Sequence, residues 1–390
     1  MRLIDLGHYW AASTLRKTVS HLRQFTAFQH SFGIPFTASL PAAPPVNLSI
    51  PLFWCMEHKS IQPSQRAKHA FVSFGTLRGI RSALSGYTAL ESAIFRPSRM
   101  FRDDHQRLLG VDFVSPTDNL ASQLAARGLA ARLGTVVTPS KTIHATHIAW
   151  NQRYRVRRLS TEPGLSLVQR YFLIAGQVAE LFGYLGWLRS GECFTLKRED
   201  LILYYPADAA ANNLPPGLGA VLLQLLPETK SSRTVEADVV LSWRTSSGLL
   251  LGQWVCLLLS TLDQLGFHSP SALLFRDPVS LRPWTSYFYR HQLLFPLLRL
   301  QRSAGDAYLS RFDGSPGNTF ADNFTMFHLF RRSGRSHCRR HRVNCLRAAT
   351  PLEVYLHGRW RFRNTGREAV DLHYVEPTLE DRIYITLLCF

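Results

Sequence analysis

The 390-residue chain carries 45 lysines and arginines against 27 aspartates and glutamates, a formal charge of +18, yet 46% of its residues are hydrophobic. That share of hydrophobics excludes a disordered basic tail and leaves a polyanionic partner, nucleic acid or an anionic surface, as the reason for the charge. No apolar run reaches the 18 residues of a membrane span, the N-terminus lacks a signal-peptide shape, and six scattered cysteines form no disulfide framework, so the expectation is a soluble intracellular protein that is neither secreted nor membrane-bound.

In chain order, the spacing of Leu15, Val19, Leu22, Phe25 and Phe28 predicts an amphipathic helix over 11–33, capped by Ser13 or Thr14 and stopped at Gly33-Ile34-Pro35. Further helices are expected over 48–57 and 65–84, the latter with Lys68, Arg78 and Arg81 on its polar side. Residues 96–119 are polar and turn-rich and read as a linker, followed by short helices over 120–133 and 141–149 and a polar stretch over 151–164. A long apolar helix is predicted over 165–187. Strands are predicted over 201–205, 220–226 and 235–241, a small antiparallel sheet whose last hairpin carries Lys230 at its tip. From Leu249 onward the chain reads as helical, Gly252 and Gln253 interrupting the apolar run 249–262 of a core helix. Overall this predicts a mainly α fold with a small antiparallel β-sheet, divided into a helical domain (1–95), a linker with short helices (96–164) and a larger domain (165–390).

Two stretches carry the charge chemistry. In LFGYLGWLRSGECFTLKREDLIL (181–203) the apolar helix ends on Arg189, and Glu192 lies three residues on. Either this is an ordinary structural ion pair, or Glu192 holds the guanidinium from behind while its front takes an external anion such as phosphate. From residue 331 to 367 there are eleven arginines and one acid, Glu353, interleaved with Leu346, Val354, Tyr355 and Trp360. That mixture describes a folded surface that seeks phosphate. Within it, His328-Leu329-Phe330-Arg331 sets His and Arg one helical turn apart. A rival motif, His337-Cys338-x-x-His341-x-x-x-Cys345, has zinc-ligand types but no familiar finger spacing, among arginines that repel a cation.

In order, LRSGE with Arg189, ETKSSR with Lys230, HLFRRSGRS with His328 and Arg331, and HGRW with Trp360 resemble the motif boxes of the tyrosine recombinase (phage-integrase) family, over about residues 165–375. Their flavour is similar to integrases of eukaryotic tyrosine-recombinase retroelements. The resemblance implies a helical core-binding N-terminal domain joined to a tyrosine-recombinase catalytic domain that wraps double-stranded DNA and acts as a homo-oligomer, a dimer or tetramer, on it. It implies no cofactor and no metal. It also implies a mobile-element protein of the nucleus, or of the cytoplasm in a prokaryote, with residues 383–390 able to exchange between subunits. The residue types suit that chemistry in their own right. Arg189 and Arg331 offer bidentate forks to a pentacoordinate phosphorus, His328 and the Trp360 indole add donors, and Lys230 can protonate the departing 5′ oxygen. No acidic triad suited to a two-metal nuclease is visible. The pattern breaks at the nucleophile. The family's tyrosine follows the Trp position by about nine residues, where this chain has Ala369; Tyr374 lies five residues later, and Tyr384 later still. Either a displaced tyrosine, Tyr374 first, attacks the phosphate, or the scaffold is a DNA-binding protein that has lost its chemistry.

Overall fold

A computed structural model gives the architecture. It describes residues 141–225, 238–311, 328–340, 346–350 and 379–390, single positions at 16, 19, 20, 23, 82, 127, 324, 353, 354 and 357, and the backbone of two strands at 99–102 and 108–112. The chain divides into two units, Met1–Thr138 and Pro139–Phe390. Among the described residues no helix is long and apolar enough to cross a membrane.

In the first unit, positions 16, 19, 20 and 23 are helical within the helix expected over 11–33, position 82 within 65–84, and position 127 within 120–133. The helix expected over 48–57 lies outside the described residues. The stretch read as a linker contains an antiparallel ribbon, β1 (Arg99–Arg102) and β2 (Leu108–Asp112), with Arg99 opposite Asp112 and Phe101 opposite Gly110. Its sequence has the reason: Met100-Phe101 and Leu108-Leu109 flank the polar run DDHQR, a hairpin composition hidden by the surrounding charge.

The second unit is organised around α2 (Leu167–Leu185), capped by the Ser166 hydroxyl, which accepts from Gln169 N at 3.2 Å. From Ile174 to the end of α2 every residue is buried. A helix so largely apolar must be enclosed, and it is: α1 (Ala145–Thr161), α4 (Leu251–Gln264) and α7 (His328–Cys338) all pack on it. After α2 come the short α3 (Ser190–Phe194) and a three-stranded antiparallel sheet, β3 (Leu201–Tyr204), β4 (Ala220–Leu223) and β5 (Val239–Ser242), in that order. Leu201 pairs with Leu223, and Val221 with Leu241. Period-two alternation sends Val221, Leu223, Val239 and Leu241 into the core around α2, and Ala220, Leu222 and Val240 into a second cluster with Leu214 and Ile383. Beyond α4, a turn of helix (Ser286–Phe288) runs through a π turn (Tyr289–Leu294) into α5 (Phe295–Ser303), then α6 (Ala307–Ser310). Pro296, which has no N–H to donate, sits where the α register must resume.

One sequence expectation is corrected here: the polar stretch 151–164 is mostly helix, α1 running to Thr161 within the second unit. Its inward face is polar. Arg155, 1% exposed, donates to Gln177 Oε1 and Glu180 Oε1, both at 2.5 Å, while Asn151 donates through Nδ2 to Glu180 Oε2 at 2.9 Å and accepts at Oδ1 from Gln301 Nε2 at 2.6 Å. Gly176 leaves room for the guanidinium, a Cβ there standing 3.3 Å from Arg155 Nη2. α8 (Leu379–Cys389) docks beside β5: Thr386 Oγ1 accepts from Ser242 N at 2.6 Å, and the Leu387 carbonyl from Ser246 N at 2.9 Å.

Candidate functional site

The site forms where α2 ends. Gly186 accepts the chain's exit from the helix, and Trp187 then takes a left-handed conformation, φ 49°, although it is large and fully buried. A bulky residue holds that region only when its surroundings over-determine it. The reversal makes Arg189 the N-cap of α3. Its backbone N–H donates to Glu192 Oε2 at 2.8 Å and its Nη1 to Oε1 at 2.5 Å. Glu192 is the buried partner, 7% exposed against 31% for the Arg189 side chain. The carboxylate therefore holds the guanidinium from the protein side while about a third of the arginine faces solvent, a geometry that fits both an ion pair and an anion grip.

α7 comes in against this turn through a glycine. A Cβ on Gly334 would lie 1.9 Å from the Tyr184 carbonyl oxygen and 2.7 Å from Trp187 Nε1, so the backbones meet at a distance that no other residue allows. Along α7, Leu329, Phe330, Arg331, Ser333, Gly334 and Cys338 are buried, and Ser333 Oγ accepts from Ile143 N at 2.8 Å. Arg332 and Arg335 point outward, as do Arg339 and Arg340 just beyond. The helix thus buries Arg331 on its inner side and lays a row of guanidinium groups on the outer surface, the composition of a phosphate-binding face.

A third segment closes the group. Thr350 caps a helical turn, its N–H and hydroxyl donating to Glu353 Oε2 at 2.7 and 3.0 Å, and Glu353 also receives Nη1 of Arg347 at 2.8 Å. Burial alone would raise the Glu353 pKa; the hydrogen bonds from Arg347 and Thr350 outweigh it and hold the carboxyl below the usual glutamate range. The turn delivers His357, whose ring stands edge-on to Trp187 at 4.6 Å, its Nε2 bonded to the Leu185 carbonyl. A carbonyl only accepts, so that nitrogen carries the proton and is committed to positioning. Phe390 fills the space behind: fully buried, it lies 5.6 Å from Tyr184, 5.8 Å from His337, 6.3 Å from His357 and 6.5 Å from Trp187 between ring centroids.

Of the residues expected from sequence, the structure brings together Arg189 and the helix that carries Arg331. His328 is the first residue of that helix, and its side chain is outside what is described. Lys230, in the connection between β4 and β5, and Trp360, Ala369 and Tyr374 also lie outside the described residues. Tyr384 belongs to the second cluster with Leu222, Val240 and Ile383, on the face of the sheet turned away from α2, and burial together with a hydrogen bond to Glu380 raises its pKa. In the zinc-type motif, Cys338 is buried and its Sγ contacts the Arg335 carbonyl at 3.6 Å, His337 stacks on Phe390, and His341 and Cys345 lie outside the described residues. The sequence reading missed three residues, Trp187, Gly334 and His357. Only His357 had a local signal, the Thr-Pro-x-Glu capping box at residue 350 that starts the turn before it.

No protein-family model and no curated protein sequence matches the chain. Among solved structures it is similar to the XerH site-specific recombinase bound to a palindromic difH substrate in a post-cleavage complex, with 15% identity and a TM-score of 0.40, over 81% of this chain and 67% of that one.

Proposed function

We propose that the chain is a DNA strand transferase of the tyrosine-recombinase type, with a helical DNA-binding module in residues 1–95 and the catalytic set in the unit from Pro139 onward. The observation that carries this reading is the convergence at the end of α2: a half-exposed Arg189 backed by Glu192, and an arginine-rich helix bearing Arg331 seated on the same turn through Gly334. Attack on a DNA phosphodiester builds negative charge on the non-bridging oxygens. Fixed guanidinium forks meet that charge without reorganising, each worth about 3–4 kcal/mol of barrier. His328 and Trp360 add donors, Lys230 protonates the leaving 5′ oxygen, and Tyr374 forms the 3′-phosphotyrosyl bond without a metal. A tyrosine of ordinary pKa, about 10, needs this cationic surrounding to ionise. The enzyme works on double-stranded DNA as a homo-oligomer, in the nucleus of a eukaryote or the cytoplasm of a prokaryote, and in the service of a mobile element.

A second reading is a DNA-binding protein on the same scaffold without chemistry, favoured by Ala369 at the family's nucleophile position. Covalent trapping on nicked suicide duplexes, drawn from repeats flanking the gene and from a random pool, separates the two. An adduct that disappears in Tyr374→Phe supports the enzyme. Tight binding without an adduct on any substrate supports the binder.

A further inference from the structure

Away from the arginine site, the hairpin 276–283 presents an unusual tip. Val279 is 80% exposed, more than any other large hydrophobic among the described residues, and Leu281 is 53% exposed. Single exposed hydrophobics are ordinary, but this tip is built to stay where it is. Asp277 Oδ1 accepts from Val279 N at 2.9 Å and Oδ2 from Ser280 Oγ at 2.7 Å, while Leu281 N donates to the Asp277 carbonyl at 2.8 Å. Across the base, Asp277 N donates to the Arg282 carbonyl at 2.9 Å, and the buried Tyr171 hydroxyl takes Arg276 N at 2.9 Å. Leu281 is held at φ 59°, a strained state for a branched side chain. Behind the hairpin, Trp284 packs edge-on to Phe194, the last residue of α3, at 6.1 Å, so the tip is joined rigidly to the turn that presents Arg189. The one acid of the hairpin has both oxygens engaged within it, which leaves the outward field to Arg282, exposed, and Arg276, whose guanidinium lies 3.9 Å over Phe267.

We propose that this hairpin is a wedge for the minor groove of duplex DNA, with Val279 and Leu281 pressing into the groove and Arg282 on a neighbouring phosphate. Apolar wedges of this kind partly unstack a base step and bend the duplex, and a preordered tip loses little entropy on insertion. The inference rests on the DNA reading above and adds to it a contact distant from the chemistry.

The test uses the full chain, the Val279→Asn/Leu281→Asn double variant and Arg282→Ala, with a short dye-labelled duplex of mixed sequence. Affinity is measured by anisotropy across a salt series, and bending by end-to-end energy transfer. The double variant should bind roughly tenfold more weakly and leave the duplex straighter, with the salt slope unchanged. Arg282→Ala should reduce the slope of log K against log salt by about 0.9, one phosphate contact. Asparagine tolerates the left-handed region, so an unchanged or higher Tm certifies the fold. A double variant that binds and bends DNA like the wild type overturns the wedge, and so does one that loses self-association in sedimentation while keeping its DNA affinity. Absence of DNA binding by the wild type would instead overturn the reading on which the wedge rests.

Discussion

Gly334→Ala probes the packing that seats α7, the helix of Arg331, on the end of α2. The new Cβ would stand 1.9 Å from the Tyr184 carbonyl and 2.7 Å from Trp187 Nε1. Both obstacles are fixed: one is backbone, and the other is a buried indole. Relief therefore takes roughly 1 Å of withdrawal by α7. Alanine favours the helix by about 1 kcal/mol over glycine. Against that stand overpacking, about 1–3 kcal/mol, and partial exposure of Leu329 and Phe330, each worth about 1.5–3 kcal/mol when fully buried. The net expectation is a loss of about 2 kcal/mol, read as a lower urea midpoint at unchanged m-value. Under the proposed function, displacement of Arg331 by about 1 Å should also slow adduct formation about a hundredfold, with DNA affinity much less affected. Gly191→Ala is the stability control, since nothing lies within 4 Å of its added Cβ. A Gly334→Ala protein as stable as the wild type would refute the close-packed junction.

The remaining predictions concern the supports of the site. Glu180→Gln leaves the Arg155 guanidinium buried without its counter-charge and should cost about 3–5 kcal/mol in chemical denaturation, whereas replacing both partners by apolar residues should cost far less. Phe390→Ala should destabilise by about 3–5 kcal/mol and broaden the His357 and Trp187 ring resonances in NMR, while Phe390→Leu should retain most of the stability. Glu353 has a depressed pKa when folded, so its contribution is present above the unfolded glutamate value of about 4.3 and is lost as pH falls through the lower folded value. The stability difference between wild type and Glu353→Gln should accordingly be flat near neutrality and shrink in acid; a difference that grows in acid would contradict the assignment.

The parts of the fold readable from sequence were those written in apolar periodicity. α2, α4 and the three strands lie within a few residues of their expected places because Leu, Val and Phe repeat there at helix or strand spacing. The Arg189–Glu192 pair was readable because its three-residue spacing is local. Only the start of α1 was readable, within the helix expected over 141–149; beside Ile148 the side chains it buries are His147, Asn151, Gln152 and Arg155, which resemble a surface until Glu180, Gln177 and Gln301 arrive from elsewhere in the chain. Likewise, no local pattern marks Gly334 as the contact with Tyr184, or Phe390 as the filler behind Trp187, because each depends on a partner more than a hundred residues away. Polar burial and long-range contact are invisible to periodicity.

The central claim is that Arg189 and Arg331 act on the transition state of phosphodiester cleavage. It is tested most directly by measuring, on one nicked suicide duplex, the rate of covalent adduct formation and the DNA affinity of the wild type, Arg189→Ala and Arg331→Lys. Lysine keeps the charge of the buried Arg331 but loses its planar fork. The account predicts that both variants form the adduct about 10²–10³-fold more slowly while their affinities change by less than about tenfold. Adduct formation at the wild-type rate in both variants would contradict it.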